Sequence, residues 1–140
     1  MIASALNDRC SGLLETVDID AVAGEAARVN VRGRPGGERV TFTLRDATTR
    51  LDELINEGRR FGLIFVDHWH GYRETYEAAD RGRLLLQPGG FILFHDFLDP
   101  GNVDPAHPYG VLDAVRDVLG RDSSMAFEGT CGSSALFRKH

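Results

Sequence analysis

The stretch that decides the fold runs from Phe61 to His70 and reads FGLIFVDHWH. Its first six residues form a continuous apolar run, and its last four carry one carboxylate, two imidazoles and one indole. A short apolar run without polar alternation is typical of a central strand that is buried on both faces of a parallel sheet. We therefore predict a buried strand at 61–66, with chemically active side chains at its carboxyl end.

The sequence on both sides of this stretch alternates apolar runs with amphipathic segments, which is the pattern of strands joined by helices. The predicted strands are 13–18, 40–44, 61–66 and 91–94, and the predicted helices are 21–31, 47–57, 72–86 and 110–119. Two further short strands, at 125–128 and 135–138, are predicted to close the chain as an antiparallel hairpin. We expect a single α/β domain over residues 1–140, built mainly on a parallel sheet.

The composition is ordinary for a globular protein, with 42% hydrophobic and 26% charged residues. The net charge of -5 argues against nucleic acid as the main partner, since phosphate binding favours a basic face. No apolar run approaches the roughly 18 to 20 residues of a membrane span, and the N-terminus lacks a signal-peptide pattern. We expect a cytoplasmic protein with a small-molecule substrate, in which Cys10 and Cys131 are free thiols rather than a disulfide.

Acidic side chains follow each predicted parallel strand, at the edge where open α/β sheets bind their ligands. Asp18 ends the first strand, where a carboxylate can accept both hydroxyls of a ribose or cap the helix that begins at Ala21. Asp46 follows the second strand, where it can accept a hydrogen bond from an adenine amino group or cap the helix from Ala47. The sequence leaves both pairs of alternatives open.

The ends of the next two strands carry Asp67 and the pair His95 and Asp96. Adjacent strands lie about 4.8 Å apart, so groups at neighbouring strand ends can share one ion. Two carboxylates and an imidazole suit a divalent cation, either Mg²⁺ or, because of the histidine, another metal such as manganese, iron or zinc. The alternative is a structural Asp67 and a His95 that bonds within its own loop.

Two histidines flank Trp69 in the deciding stretch. A neutral His70 or His68 can accept a proton near pH 7, and the indole offers a flat face to an adenine ring or an aromatic substrate. Trp69 can also pack on the helix that begins at Tyr72. His107 lies in a proline-rich loop, where a solvated surface position is the simpler interpretation.

Taken in order, these segments resemble the class I S-adenosylmethionine-dependent methyltransferases, and among them the small-molecule, catechol-type O-methyltransferases. The resemblance rests on four segments, which are TVD at 16–18, RDA at 45–47, FVDHW at 65–69 and LQPGG at 86–90. It implies a Rossmann-like sandwich, S-adenosylmethionine as cofactor and methyl transfer to a hydroxyl group with the help of a divalent metal.

The resemblance also assigns roles to single residues. Asp18, Asp46, His68 and Trp69 fall at its cofactor-binding positions, and Asp67, His95 and Asp96 at its metal-binding positions. His70 falls where the catechol enzymes hold a lysine that deprotonates the attacking hydroxyl, so it would serve as the general base.

The sequence departs from the family in two places. His95 stands where an acid is usual, and residues 1–12 contain no Gly-x-Gly turn of the kind that approaches the cofactor's methionine part. We therefore expect an N-terminally truncated domain that lacks its first strand, and its unpaired strand edges would favour a homo-oligomer. The alternatives are a catalytically inactive protein of the same fold and a metal-dependent enzyme with another reaction, such as hydroxylation.

Overall fold

A computed structural model describes residues 12–107 and 109–140 of the chain. Its elements are β1 (Leu14–Asp18), α1 (Ala21–Val31), β2 (Val40–Leu44), α2 (Ala47–Asn56), β3 (Phe61–Val66), α3 (Tyr72–Leu85), β4 (Leu86–Phe94), α4 (Val111–Val118), β5 (Met125–Cys131) and β6 (Ser134–Lys139). The predicted alternation of strands and helices is confirmed. The chain divides into two compact units, one ending at Arg50 and the other beginning at Leu51, and the single domain stays a prediction.

The first unit contains a two-stranded parallel sheet of β1 and β2. A partly buried polar contact ties this sheet to α2, because Glu15 on β1 accepts hydrogen bonds from Thr43 Oγ1 at 2.9 Å and from Arg50 Nε at 2.7 Å. Charge-assisted bonds of this kind stabilise more than neutral ones. The parallel register of β1 and β2 places Asp18 and Leu44 side by side at the strand ends.

The second unit contains a four-stranded sheet in the order β3-β4-β6-β5. β3 and β4 run parallel, whereas β6 pairs antiparallel with both β4 and β5. The predicted C-terminal antiparallel hairpin is therefore confirmed as β5 and β6. The four-stranded sheet is therefore mixed, with β3 and β4 as its parallel pair.

The core of the second unit surrounds β4. Ile92 and Phe94 are fully buried, and α4 adds Val111 and Val115 to the same cluster. Burial of one such side chain contributes about 1.5–3 kcal/mol. This packing makes β4 the best-supported strand of the sheet.

β3 differs from its prediction, because none of its residues is fully buried. The side chains of Leu63 and Phe65 are 52% and 46% exposed, so the expectation of a strand buried on both faces was wrong. The physical reason is that only one face of β3 meets the core, where Ile64 and Val66 pack, and Leu63 and Phe65 lie on the other face; within residues 12–107 and 109–140, β3 also pairs with β4 alone. β1 likewise has a single strand partner in the described chain, which is β2.

The predicted turn at 87–90 lies inside β4, where the pairing with β3 shifts register between Phe61 and Leu63. Gly89 adopts a φ of 77°, a conformation that favours glycine. The structure describes no helix long and apolar enough to cross a membrane. Cys131 is an exposed free thiol, and the Cys10 half of the thiol prediction lies outside the described residues.

Candidate active site

The candidate active site lies where β3 and β4 end side by side. The backbone N–H of His95 donates to the carbonyl of Val66 at 3.0 Å, so the pairing continues one residue beyond β4. Asp67 directly follows β3, and Asp96 directly follows His95. The parallel register therefore brings the three predicted metal ligands to one edge of the sheet, as the sequence predicts.

Asp67, His95 and Asp96 can each direct one ligand atom to a common point, since these atoms lie within 4.8 Å of one another. His95 Nδ1 is 2.9 Å from Asp96 Oδ1 and 3.5 Å from Asp67 Oδ1. Two ligand atoms bound about 2.1 Å from one cation lie at most about 4.2 Å apart. The two spacings from His95 Nδ1 lie within this limit, and two carboxylates with one imidazole are a donor set that suits a divalent cation.

Asp96 is held in an unusual backbone conformation. It is the one non-glycine residue of the described chain with a positive φ, at 56°, and only 8% of its surface is exposed. Asn102 stabilises this turn, because its Nδ2 donates to the carbonyl of Asp96 at 2.8 Å while its Oδ1 accepts from Leu112 N at 2.9 Å. A strained residue that its surroundings hold in place is characteristic of functional sites.

The second oxygen of Asp96 binds His70, which lies 2.6 Å from it through Nε2. The imidazole of His70 also stacks on Tyr109, with the ring centroids 4.4 Å apart, and its carbonyl accepts from Gly110 N at 2.9 Å. Asp96 therefore bridges two imidazoles. The sequence did not indicate the contacts of His70 with Asp96 and Tyr109. Its one signal was that Tyr109, an aromatic residue, directly precedes a predicted helix.

The carboxylates around His95 change its protonation. The polar contact with Asp96 raises the pKa of His95 above its usual value, partial burial opposes this rise, and the charges of Asp96, Asp67 and Asp99 reinforce it. Without a bound cation, these contacts therefore shift His95 toward its imidazolium form. A cation would have to displace this proton to bind the ring nitrogen.

The two other residues of the deciding stretch face different surroundings. His68 Nδ1 donates to the carbonyl of Trp69 at 2.6 Å, and His68 Nε2 is buried without a hydrogen-bond partner in the described chain. Trp69 is 68% exposed, so its indole is available to a ligand rather than packed on α3. The predicted cofactor roles of both residues stay predictions.

The remaining predicted site residues, Asp18 and Asp46, belong to the first unit. Asp18 is the last residue of β1, and its exposed side chain accepts a hydrogen bond from Asp20 N at 2.9 Å. The N-cap of α1 is Asp20, which accepts from Val22 N at 2.8 Å, so the capping alternative for Asp18 was wrong. The ribose role of Asp18 stays a prediction.

Asp46 caps α2, as one of its two alternatives proposed. Its Oδ1 accepts from Thr49 N at 2.9 Å and from Thr49 Oγ1 at 3.0 Å. These hydrogen bonds lower the pKa of Asp46 and keep it ionised. Its capping role leaves the second carboxylate oxygen as the group that could meet an adenine amino group.

Comparison with known proteins supplies a family and a fold. Residues 1–97 match the sequence model of a family described as a methyltransferase domain. A tRNA1(Val) (adenine(37)-N6)-methyltransferase from Phocaeicola vulgatus is 25% identical over 123 residues, which cover 88% of this chain and 50% of the relative. The chain thus spans about half the length of this relative.

Solved structures of similar fold include two O-methyltransferases. The O-methyltransferase from Bacillus cereus, in complex with SAH, has a TM-score of 0.76 at 17% identity, covering 92% of this chain and 63% of that one. The O-methyltransferase TomG from Streptomyces achromogenes, involved in tomaymycin synthesis and in complex with SAM, has a TM-score of 0.73 at 21% identity, covering 91% and 62%. These likenesses confirm the predicted Rossmann-like fold.

Proposed function

Because the chain belongs to the methyltransferase domain family whose model matches residues 1–97, we propose that it transfers a methyl group from S-adenosylmethionine to the hydroxyl group of a small molecule. The observation that carries the choice of a hydroxyl is the contact between His70 and Asp96 at 2.6 Å. A hydroxyl oxygen must lose its proton to become a strong nucleophile, and this pair is arranged to accept one.

The contact geometry supports Nδ1 of His70 as the proposed proton acceptor. An ionised carboxylate only accepts hydrogen bonds, so Nε2 carries the hydrogen that is donated to Asp96 Oδ2. The lone pair of the neutral ring then lies on Nδ1, which is the atom that would take the hydroxyl proton. Asp96 stabilises the resulting imidazolium, and stacking on Tyr109 limits rotation of the ring.

The metal proposal extends this arrangement. Asp67, His95 and Asp96 would hold a divalent cation, which lowers the pKa of a substrate hydroxyl when it is bound there. Asp96 can serve both functions because Oδ1 lies on the His95 side and Oδ2 lies on the His70 side. The proton acceptor and the predicted cation site thus share one rigid carboxylate.

The cofactor proposal rests on exposed groups at strand ends. Asp18 has an exposed carboxylate that does not cap a helix, so it can accept the hydroxyls of a ribose. Trp69 offers an exposed indole face for stacking on the adenine ring. Asp46 and His68 complete the proposed cofactor set, although each already makes a local hydrogen bond.

Calorimetry with S-adenosylmethionine, with and without Mn²⁺, tests cofactor and metal binding directly. We expect Asp18→Asn to weaken S-adenosylmethionine binding by about tenfold, the loss of one good hydrogen bond to a buried ligand. Asp67→Ala should weaken Mn²⁺ binding and leave cofactor affinity nearly unchanged. Asp113→Asn, an exposed acid on α4, is the matched control. Absence of S-adenosylmethionine binding under every condition would contradict the proposed function and favour an inactive protein.

The proton-acceptor role has a separate test, which is release of S-adenosylhomocysteine with catechol as the probe substrate. We expect His70→Gln to lower this rate by about 10²–10⁴-fold while S-adenosylmethionine still binds. His107→Gln is the matched control, because that imidazole is exposed and pairs with Asp104 at 2.9 Å. An unchanged rate in the His70 variant would exclude this histidine as the base.

A further inference from the structure

The turn between α1 and β2 forms an open groove in the first unit, with a volume of about 840 Å³. Three arginines line it, which are Arg28, Arg32 and Arg34, together with a single acid, Glu38. The groove lies at the amino end of β2, where the strand begins at Val40. The proposed cofactor residues of this unit follow the carboxyl ends of its strands, so the groove is a different site.

The positive charge of the groove is only partly neutralised within the described chain. Arg28 lies 3.4 Å from Glu25, and its guanidinium covers the ring of Phe42 at 5.5 Å from the centroid. Arg32 and Arg34 are exposed, and neither contacts an acidic side chain among the residues that the structure describes. The whole protein carries a net charge of -5, so this groove reverses the prevailing sign.

Glycines give the turn a defined shape. Gly33 and Gly36 adopt φ values of 72° and 80°, which other residues rarely adopt. A Cβ added to Gly37 would lie 2.4 Å from the carbonyl oxygen of Val31, so the chain must fold back tightly against the end of α1. This close approach brings the arginines on both sides of the turn to one groove.

We propose that this groove binds the phosphate groups of an organic phosphate. The planar guanidinium groups of Arg32 and Arg34 match phosphate oxygens with paired N–H donors, and Arg28 over Phe42 supplies a flat surface for the rest of the ligand. The volume lies within the range of about 300–1,000 Å³ that is typical of small-molecule sites. The carbonyl end of α1 opposes an anion only weakly, because that dipole is exposed to solvent and screened.

A phosphate ester of this kind has two sources, a free nucleotide or the backbone of an RNA strand. The proposal does not depend on methyl transfer, since no residue of the groove takes part in the proposed reaction. It also does not require a basic protein, because one local cluster of arginines suffices for a phosphate contact.

Fluorescence anisotropy with two probes, labelled ADP and a labelled short single-stranded RNA, tests the proposal on the full chain. We expect the double variant Arg32→Gln, Arg34→Gln to bind its preferred probe at least about tenfold more weakly, as expected for losing charged hydrogen-bond donors. The matched control is Arg59→Gln, Arg60→Gln, which removes two adjacent exposed arginines from the second unit. Thermal unfolding should be the same for both variants.

Pyrophosphate should displace the probe and adenosine should not, if the phosphates are the recognised groups. Tighter binding of ADP identifies a free nucleotide as the source, and tighter binding of RNA identifies a nucleic-acid backbone. Equal affinities of the two double variants would overturn the proposal, as would displacement by adenosine alone or no binding of either probe. Binding of S-adenosylmethionine, measured on the same samples, reports separately on the proposed function.

Discussion

β3 and the second half of β4 have nearly the same apolar composition and lie side by side in parallel register, yet their surroundings differ. Ile92 and Phe94 on β4 are fully buried, whereas Leu63 and Phe65 on β3 are about half exposed. β4 has a strand on each side, and β3 has one strand partner in the described chain. An apolar run therefore predicts a strand, whereas the burial of each side chain depends on what packs against its face of the sheet.

The same contrast continues past the two strand ends. Asp96 after β4 is buried and held by Asn102, whereas the side chain of Asp67 after β3 is 49% exposed. The β4 side therefore supplies a rigid frame, and the β3 side supplies groups that a ligand can reach. The predictions below test this division between the two sides.

The largest expected difference concerns two phenylalanines. Phe94→Ala should lower the free energy of unfolding by about 3–5 kcal/mol, because it leaves a cavity in the packed core. Phe65→Ala should lower it by less than about 1 kcal/mol, because nearly half of that side chain is already in water. Urea unfolding followed by circular dichroism measures both values, and equal losses would show that β3 is as well packed as β4.

Second, the two aspartates should differ in their contribution to stability. Asp96→Ala removes the partner of His70 and puts alanine at a positive φ, so we expect a loss of about 2–3 kcal/mol. Asp67→Ala should stay within about 0.5 kcal/mol of the unsubstituted protein. Asp96→Asn is the control that separates charge from backbone, because asparagine also tolerates this conformation. A similar loss in both alanine variants would show that Asp67 supports the fold as much as Asp96 does.

Glycines on the two strands extend the test to the backbone. A Cβ at Gly90 on β4 would lie 2.9 Å from the carbonyl oxygen of Gln87 and 3.0 Å from that of Phe61, so Gly90→Ala should cost about 1–3 kcal/mol. A Cβ at Gly62 on β3 would meet only the flexible side chain of Gln87, at 3.2 Å, and Gly62→Ala should be nearly neutral. Thermal unfolding ranks the two variants, and the reverse order would contradict the structure.

The smallest expected effect is on the protonation of His95 in metal-free protein. NMR titration should give a pKa above the usual value of 6.5, and Asp96→Asn should lower this pKa more than Asp67→Asn does. A raised folded pKa adds stability that is present below the unfolded pKa and is lost as the pH rises through the folded pKa. The stability that Asp96→Asn loses through His95 should therefore become smaller as the pH rises through the folded pKa of His95. A larger change in the pKa of His95 with Asp67→Asn would show that Asp67, and not Asp96, makes the dominant contact.

Sequence patterns anticipated the order of elements because hydrophobic periodicity is a local property. They also located Asp67, His95 and Asp96 together, since parallel strands end at one edge of a sheet. They missed the bridge from Asp96 to His70, because the direction of each carboxylate oxygen depends on a backbone turn held by Asn102. The sequence also did not show that Asp20 rather than Asp18 caps α1. Both acids lie just before the start of the helix, and only the folded backbone decides which of them reaches its free N–H groups.

By itself, the sequence determined the alternation of strands and helices, the closing hairpin and the acids that follow the strands. These features depend on residues that are a few positions apart in sequence, so they are specified locally and do not depend on the rest of the chain. Only the tertiary structure decided that β4 is buried while β3 is half exposed, and that one carboxylate serves two histidines. Those outcomes depend on contacts between residues distant in sequence, such as His70 with Asp96 and Tyr109, which no local pattern specifies.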